Sequence, residues 1–282
     1  MSNTTNEQDW ILLNGKPMRN ENLLTASNRS FRYGDGFFES IRVMNGKIPL
    51  LKYHLQRIAR NQELLRMKPE SELTGDSLLA SVESLLNKNS TGKNARLRLV
   101  FFRNEGNDFN SLTNSCSWIL QSYKLNEKKW EWNENGLSIG IFPDARKAPG
   151  RFSQVKSNSM LSNIMASIWA KENKLNEAIL LNSDERVCES IHANIFLVEK
   201  TSAKIFTPPL SEACVDGVMR KFILDNTTVV EKKLSVADLE NAAEIFLSNA
   251  VKGIRWVGTF QKRKFGSEKV KEIFALLPQY TV

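Results

Sequence analysis

One lysine, Lys156, lies among small polar residues in the stretch FSQVKSNSMLSN, residues 152–163, directly before an apolar pattern with helical spacing. A lysine amine becomes a nucleophile when burial or neighbouring cations lower its pKa. Such an amine is usually kept in a protein to form an imine with a carbonyl compound. The serine and asparagine neighbours would leave room around Lys156 for a ligand of that kind.

Pyridoxal phosphate is one such carbonyl compound, and it also needs an anion site for its phosphate and a partner for its pyridine nitrogen. In CVDGVMRKF, Gly217 precedes a predicted helix whose first free N–H groups belong to Val218 and Met219, and a helix N-terminus binds phosphate. Arg57 is a candidate for a second phosphate contact. Glu189, in ERVCESIHANIF, follows a predicted strand and is a candidate partner for the pyridine nitrogen.

Each of these residues also has an ordinary structural explanation when it is taken alone. Gly217 is compatible with a plain turn, Arg57 with a solvated helix face, and Glu189 with a strand end that faces water. The hypothesis of a pyridoxal-phosphate site therefore depends on the set rather than on any one member.

Other common active-site patterns are missing from the sequence. The chain has two histidines, His54 and His192, far apart, which argues against a histidine metal site and against a Ser/His/Asp triad. His54 is expected to be a half-exposed helix residue. No GxGxxG or GxxxxGK[ST] motif occurs, so a nucleotide-phosphate loop is not predicted. Lysine chemistry remains the best-supported class, without a metal.

Composition limits the partners and the compartment. The 282 residues carry a formal charge of +8, but the basic residues are scattered, which favours attraction of small anions over nucleic-acid binding. Three separated cysteines without a CxxC pair indicate a reducing cytoplasm. The polar N-terminus and the absence of an 18-residue apolar run predict neither a signal peptide nor a membrane span.

The pattern of elements predicts an α+β protein in two domains, residues 1–123 and 124–282, each mixing sheet and helices. A strand is predicted to enter an Asn-Gly turn at 14–15, and the Asn-Gly turn at 45–46 predicts a hairpin. Helices are predicted over 52–67, from a cap at Asp76 or Ser77, and after Lys156. The last of these carries apolar residues at helical spacing: Leu161, Ile164, Met165, Ile168 and Trp169.

Six motifs together resemble the class IV aminotransferases, also called fold-type IV pyridoxal-phosphate enzymes. They are RYGDGFFESIRV, YHLQRI, VKSNSML, VCESIHANIFLV, DGVMRKF and LSNAV. The resemblance covers most of the chain, from about ILLNGK to SNAVKGI. It implies a two-domain fold with pyridoxal 5'-phosphate in the cleft between the domains, and a homodimer.

The resemblance also implies residue roles. Lys156 corresponds to the lysine that forms the Schiff base, Glu189 to the partner of the ring nitrogen, and Arg57 to the phosphate arginine. The remaining expected contacts are Val218, Met219 and Gly217 at the phosphate, Asn194 below the cofactor, Asn249 and Ala250 in a turn beside it, and Tyr33 at the substrate.

Within the family, the short motifs GVMR and SNA are more similar to 4-amino-4-deoxychorismate lyases than to branched-chain aminotransferases. The latter have a tyrosine soon after the lysine, where this chain has Met160. The expected function is therefore the lyase of folate biosynthesis, which forms 4-aminobenzoate and pyruvate. The alternatives are a branched-chain or D-amino-acid aminotransferase, or a pyridoxal-phosphate carrier without activity.

Two arginines favour the lyase. In ARLRLVFF, the strand period of two places Arg96 and Arg98 on one face, roughly 7 Å apart, and Leu97, Leu99 and Phe101 on the other. In the family this strand borders the substrate pocket. Two guanidinium groups suit a dianionic substrate, whereas a branched aliphatic side chain needs an apolar pocket. The alternative is an exposed basic strand face.

Overall fold

The computed structural model describes residues 9–21, 23–104 and 113–278. By its contacts the chain forms two units. The first unit comprises the described residues up to Lys129 together with Lys156–Ser159, and the second comprises Trp130–Val155 and Met160–Pro278. The division after Lys129 lies a few residues beyond the predicted boundary at 123–124. Both units combine a sheet with helices, and the predicted α+β class is confirmed.

The first unit is built on one sheet with the strand order β2-β1-β6-β5-β3, and β4 pairs with β6. Neighbouring strands are antiparallel except for β4 and β6, which are parallel. The elements are β1 (Trp10–Leu13), β2 (Lys16–Arg19), α1 (Arg29–Tyr33), β3 (Gly36–Val43), α2 (Leu51–Leu64), β4 (Lys68–Pro69), α3 (Gly75–Lys88), β5 (Ala95–Arg103) and β6 (Ser115–Lys124).

The two predicted Asn-Gly turns have different outcomes. The strand that enters the turn at Asn14–Gly15 is confirmed, and the turn joins β1 to β2 in a hairpin. Asn45–Gly46 forms a turn, but the strand predicted after it is wrong, because only Met44 and Lys47 pair as an isolated bridge. Pro49 follows, and proline has no N–H to donate to a ladder, so the chain leaves the sheet and enters α2.

Helix α3 shows how the first unit fills its core. Its side chains Leu78, Val82 and Leu85 are buried. The predicted cap at Asp76 or Ser77 is wrong by a few residues, because Thr74 is the N-cap and its hydroxyl accepts from the Ser77 N–H at 3.2 Å. The Ser77 hydroxyl in turn accepts from the Thr74 backbone N–H at 2.9 Å, which completes a capping box.

The second unit is built on a larger sheet with the order β12-β11-β10-β13-β14-β7-β8-β9, and β15 pairs with β14. The elements are β7 (Leu137–Lys147), α4 (Leu161–Glu172), β8 (Glu177–Asn182), β9 (Val187–Ser190), β10 (Asn194–Val198), β11 (Ile205–Thr207), a 3₁₀ turn (Leu210–Glu212), α5 (Val218–Asn226), β12 (Val229–Glu231), α6 (Val236–Asn241), β13 (Glu244–Asn249), β14 (Gly253–Phe260), β15 (Arg263–Lys264) and α7 (Glu268–Ala275).

Strand β7 is irregular near its end. Ile141 pairs with Ile179 of β8, but the next registered pair is Arg146 with Leu181, so β7 takes five steps along a stretch where β8 takes two. Extra residues in one strand bend it and redirect the side chains that follow. The irregular stretch therefore decides where Lys147, the last residue of β7, points.

Helix α4 turns its small residues inward. Ala166 and Ala170 are buried and pack with Phe142 and Ala178 of the sheet. Four of the five apolar residues predicted at helical spacing are on the outside, and Leu161 is 70% exposed; the fifth, Trp169, packs against this core cluster. We call this exposed surface the α4 apolar face; its members are Leu161, Ile164, Met165 and Ile168.

Candidate active site

The segment that carries Lys156 extends the sheet of the first unit. The Phe38 N–H donates to the Lys156 carbonyl at 2.9 Å, and the Asn158 N–H donates to the Gly36 carbonyl at 3.0 Å. These two bonds lie on either side of Ser157 and hold the backbone of Lys156 against the start of β3. The lysine is therefore presented from a fixed backbone rather than from a free loop.

Gly36 makes this pairing possible. A Cβ atom at this position would lie 2.2 Å from the Phe101 carbonyl oxygen and 2.4 Å from Asn158 Nδ2. Asn158 Nδ2 occupies that space and donates to Ser30 Oγ at 2.9 Å and to the Phe101 carbonyl at 3.3 Å. Any larger residue would displace the segment that carries the lysine. The second glycine of RYGDGFFES therefore has a direct role in positioning Lys156.

The ring of Phe38 connects two of the predicted site residues. Lys156 Nζ lies 4.7 Å from the ring centroid, and Arg98 Cζ lies 4.1 Å from it. Both are within cation–π distance. The structure thus brings Arg98 and Lys156 together against one aromatic side chain, on the same side of β3.

The face of β5 that carries Arg98 has the predicted alternation. Leu97, Leu99 and Phe101 are buried on the opposite face. Arg96 is exposed and its guanidinium lies 4.5 Å from the Tyr123 ring. Burial lowers the pKa of Arg98; Tyr123 opposes this decrease and Arg96 adds to it.

Arg57 is part of a buried cluster with Glu39 and His54. Arg57 donates to the Glu39 carboxylate from Nε at 2.7 Å and from Nη2 at 2.6 Å, and His54 Nδ1 lies 2.6 Å from Oε2. Burial alone would raise the pKa of Glu39, but the contacts with Arg57 and His54 outweigh it and lower the pKa to about 2. The expectation of a half-exposed His54 is wrong, because α2 covers Glu39 with its polar side.

Phe38 and Glu39 are consecutive in β3, so their side chains point to opposite faces of the strand. Lys156 and Arg98 lie against the Phe38 face, and Arg57 lies against the Glu39 face. The two predicted cofactor residues of the first unit are therefore not neighbours on one face. The phosphate contact of Arg57 stays a prediction. So does the substrate contact of Tyr33, which ends α1 with its ring 5.8 Å from Arg29 Cζ.

In the second unit, Glu189 is held by two donors. Its side chain is 5% exposed; Oε1 accepts from Lys147 Nζ, and Oε2 accepts from the Val215 N–H at 2.8 Å. Glu189 follows β8, as expected, but it lies inside a further strand, β9, which the sequence did not predict. Burial would lower the pKa of Lys147, but the Glu189 carboxylate outweighs burial and the net pKa is raised.

The loop before α5 is pinned to β10. Asn194 Nδ2 donates to the Val215 carbonyl at 2.8 Å, and a Cβ atom on Gly217 would lie 1.8 Å from Asn194 Oδ1. Only glycine fits here. Helix α5 begins at Val218, as predicted, and its N-cap Gly217 provides no side-chain hydrogen bond. Val218 and Met219, in its first turn, are buried.

The end of β13 completes this group of residues. Asn249 Oδ1 accepts from the N–H groups of Val251 at 3.1 Å and Lys252 at 2.7 Å, which closes the turn that contains Ala250. Ser248 is opposite Asn194 in the β10–β13 ladder and is 1% exposed, and its hydroxyl has no hydrogen-bond partner. No sequence motif marked Ser248 as a site residue.

This donor set fits a phosphate-bearing cofactor. The first turn of α5 has N–H groups that no side chain caps, and a buried hydroxyl on a neighbouring strand has no partner. Among the described residues, no cluster of three or more His, Cys, Asp or Glu side chains is arranged to hold a metal ion. In the same part of the chain, no helix is long and apolar enough to cross a membrane.

A family model described as amino-transferase class IV matches residues 36–259, most of the chain. The chain belongs to the class IV aminotransferase family. Its enzymes use pyridoxal phosphate, and the recognition made from the sequence motifs is confirmed.

Curated relatives with different activities match almost the whole chain. An aminodeoxychorismate lyase from Bacillus subtilis is 25% identical, over 94% of this chain and 92% of the relative. A putative branched-chain-amino-acid aminotransferase from Methanocaldococcus jannaschii is 28% identical, over 93% and 92%. A crystal structure of the branched-chain aminotransferase from Thermoproteus uzoniensis has a TM-score of 0.82 at 20% identity, covering 95% of this chain and 93% of that one. This structural likeness confirms the predicted fold type.

Proposed function

We propose that this pyridoxal-phosphate enzyme is a 4-amino-4-deoxychorismate lyase, which releases 4-aminobenzoate and pyruvate for folate biosynthesis. The observation that carries the proposal is the position of Arg98, whose guanidinium shares the Phe38 ring with Lys156. A permanent cation on the aromatic ring that Lys156 also contacts would bind one carboxylate of a dianionic substrate. It does not match the apolar pocket that a branched aliphatic side chain requires.

In this proposal Lys156 holds the cofactor between turnovers and moves the proton. Its amine takes the proton from the substrate carbon that bears the amino group. The C–O bond to the enolpyruvyl group then breaks, and the leaving group takes up a proton and becomes pyruvate. When bound, pyridoxal phosphate supplies the electron sink for this step. Arg98 and Arg96 orient the two carboxylates, and Tyr33 is a further substrate contact.

The proposed cofactor contacts follow the family motifs. Glu189 partners the ring nitrogen, with its carboxylate fixed by Lys147 and Val215. Arg57 and the first turn of α5 receive the phosphate. The other proposed contacts are Asn194, Gly217, Val218, Met219, Asn249 and Ala250.

A transaminase of branched-chain or D-amino acids is the second candidate. The observation in its favour is the 28% identity to the putative branched-chain aminotransferase, against 25% for the lyase. The early proton transfer by Lys156 is common to both reactions, so the residues around the cofactor do not separate them.

The deciding experiment replaces each arginine with leucine and compares substrates. If the substrate is aminodeoxychorismate, Arg98→Leu should lower kcat/KM by about ten- to a hundredfold, because a charge-assisted bond is worth about 1.5–3 kcal/mol. Arg96→Leu removes the second proposed carboxylate contact on the same strand face, and because Arg96 is exposed its loss should be smaller. Pyruvate release measures the lyase reaction; turnover of L-leucine and D-alanine measures transamination.

The two candidate activities predict opposite effects of Arg98→Leu on the two kinds of substrate. For a branched-chain aminotransferase, Arg98→Leu would leave leucine turnover unchanged or improve it, and no pyruvate would be released from aminodeoxychorismate. Equal small effects on every substrate would contradict a substrate role for Arg98. Borohydride reduction followed by peptide mapping tests Lys156 separately, because the reduced cofactor should be found on this lysine and on no other.

We also propose that the enzyme is a cytoplasmic homodimer. The α4 apolar face supports a second copy as partner, since four large apolar side chains on one exposed helix stripe are unusual for a monomer surface. Three free cysteines support a reducing compartment. Sedimentation of wild type and of Ile164→Lys tests the dimer: the variant should shift toward monomer, and an unchanged dimer would place the interface elsewhere.

A further inference from the structure

We propose that Lys147 is a positioning residue that keeps the shared proton on the ring nitrogen of the cofactor rather than on Glu189. The inference rests on the proposed role of Glu189 as partner of that nitrogen, and it adds a residue that no sequence motif indicated.

The Glu189 carboxylate has one charged and one uncharged partner. One carboxylate oxygen accepts from Lys147 Nζ and the other from the Val215 N–H. The backbone donor fixes the orientation of the carboxylate but carries no full charge. Lys147 is the cation in direct contact, so it is the group that stabilises the ionised form.

Lys147 reaches Glu189 across the sheet. The two residues lie on β7 and β9, with β8 between them in the sheet. The irregular stretch of β7 between Ile141 and Arg146 separates the regular strand from Lys147. Its neighbour Arg146 instead contacts the exposed Glu185. Glu189, the partner of Lys147, is 5% exposed, whereas Glu185, the partner of Arg146, is 64% exposed. Adjacent cations on one strand therefore have a buried partner and a surface partner.

Among the described residues, the other titratable groups around Lys147 and Glu189 are two thiols and three charged side chains. Cys188 and Cys214 are the buried thiols beside this pair; burial raises the pKa of both, to about 12 for Cys214, so they stay neutral. The further charged groups act on those thiols: Glu212 near Cys188, and Asp216 and Arg220 near Cys214. None of these groups replaces the direct contact of Lys147 with Glu189.

The consequence is electrostatic. A proton shared by a carboxylate and a ring nitrogen has two possible positions. On the carboxylate it leaves a neutral acid beside a neutral ring, and on the nitrogen it leaves an ionised carboxylate beside a positively charged ring. The positive charge of Lys147 touches the carboxylate, so it favours the second arrangement. A charged ring is the stronger electron sink. Without Lys147, the buried carboxylate would lose its cation and compete for the proton.

The test uses the holoenzyme loaded with pyridoxal phosphate labelled with ¹⁵N in its ring. The nitrogen chemical shift distinguishes a protonated from an unprotonated ring independently of turnover. Lys147→Met should move the signal toward the unprotonated position and lower kcat by about tenfold or more, with KM changed little. Lys147→Arg keeps the charge and should restore the wild-type shift. Arg146→Met, which removes the adjacent charge, should leave the shift unchanged.

Each result decides for or against the inference. A wild-type shift in Lys147→Met would overturn it, as would an equal change in Arg146→Met. If Lys147→Met does not fold, Lys147→Gln keeps a polar contact without the charge and must show the same change. Glu189→Gln separates the two proposals: if it leaves the ring protonated, the role of Glu189 itself is wrong. If it deprotonates the ring and the Lys147 variants do not, only the role of Lys147 is wrong.

Discussion

Each unit of this enzyme contains one buried carboxylate that is tied to a residue of the candidate site. In the first unit, Glu39 has no exposed surface and is bound by two side chains of α2, Arg57 and His54. In the second, Glu189 is bound by one side chain, Lys147, and by one backbone N–H. Glu39 is the partner of a predicted site residue, Arg57, whereas Glu189 is itself a predicted site residue.

The difference shows two ways in which a protein can stabilise a buried carboxylate. A buried charge without a partner costs several kcal/mol, so each ionised side chain must be paired before any ligand arrives. Arg57 is paired through two of its nitrogens to one carboxylate, which ties it to the fold. Glu189 divides its two oxygens between a lysine and the loop before α5, which ties the charge to the candidate site.

The largest expected effect is on catalysis. Glu189→Gln keeps the shape of the side chain but does not hold a proton on the ring nitrogen, so turnover should fall by about a hundredfold or more. Glu189→Gln should lower the stability of the apo-protein less than Glu39→Gln does, because its partner Lys147 is partly exposed and reaches water. Steady-state kinetics and urea unfolding measure the two effects. Near wild-type turnover would assign the ring nitrogen to another residue.

Glu39→Gln should act on stability. It leaves Arg57 and His54 buried without their carboxylate, and removal of one partner of a buried ion pair lowers the free energy of unfolding by about 3–5 kcal/mol. Urea unfolding of the apo-protein at pH 7 measures the loss. A decrease below about 1 kcal/mol would be typical of a surface pair, and would remove the contrast between the two units.

The same pair predicts a pH dependence. The pKa of Glu39 is about 2 in the folded protein, against an ordinary value of 4.5 for a glutamate in the unfolded chain. The ionised carboxylate therefore stabilises the fold above pH 4.5. This contribution, about 3 kcal/mol, is lost as the pH falls from 4.5 toward 2. The difference in unfolding free energy between wild type and Glu39→Gln should therefore narrow below pH 4.5. A constant difference down to pH 3 would contradict the lowered pKa.

The smallest effect is expected at His54. His54→Leu leaves Glu39 Oε2 with one donor fewer, which should lower the free energy of unfolding by about 1–3 kcal/mol. His54→Asn keeps a donor near the position of Nδ1 and should lose less. Equal losses in the two variants would show that the imidazole acts by filling space rather than by donating to Glu39.

Local patterns predicted the parts of this molecule that depend on neighbours in sequence. The period of two in β5 placed Arg96 and Arg98 on one face, and the glycine before Val218 placed the start of α5. The cluster around Glu39 was missed although α2 contains a signal for it. His54, Arg57, Ile58 and Asn61 are spaced i, i+3, i+4 and i+7, so polar side chains share the buried stripe with an isoleucine.

Two features depend on contacts that no local pattern encodes. The spacing of apolar residues predicted α4, but not which side of the helix faces the sheet. Ala166 and Ala170 allow close approach and are inside, so the α4 apolar face remains outside. The contact between Lys147 and Glu189 depends on an irregular strand whose extra residues no periodicity marks. Both features arise from packing between elements.

The pairing of residues 156–158 with β3 determines how the polypeptide can be divided. A gene fragment that ends at residue 129 would encode nearly all of the first unit but would lack the segment that covers the edge of β3. The Phe38 N–H and the Gly36 carbonyl would then be exposed beside an apolar strand, which is a template for intermolecular pairing. Such a fragment should precipitate on expression, and a synthetic peptide spanning 152–163, supplied in trans, should restore its solubility.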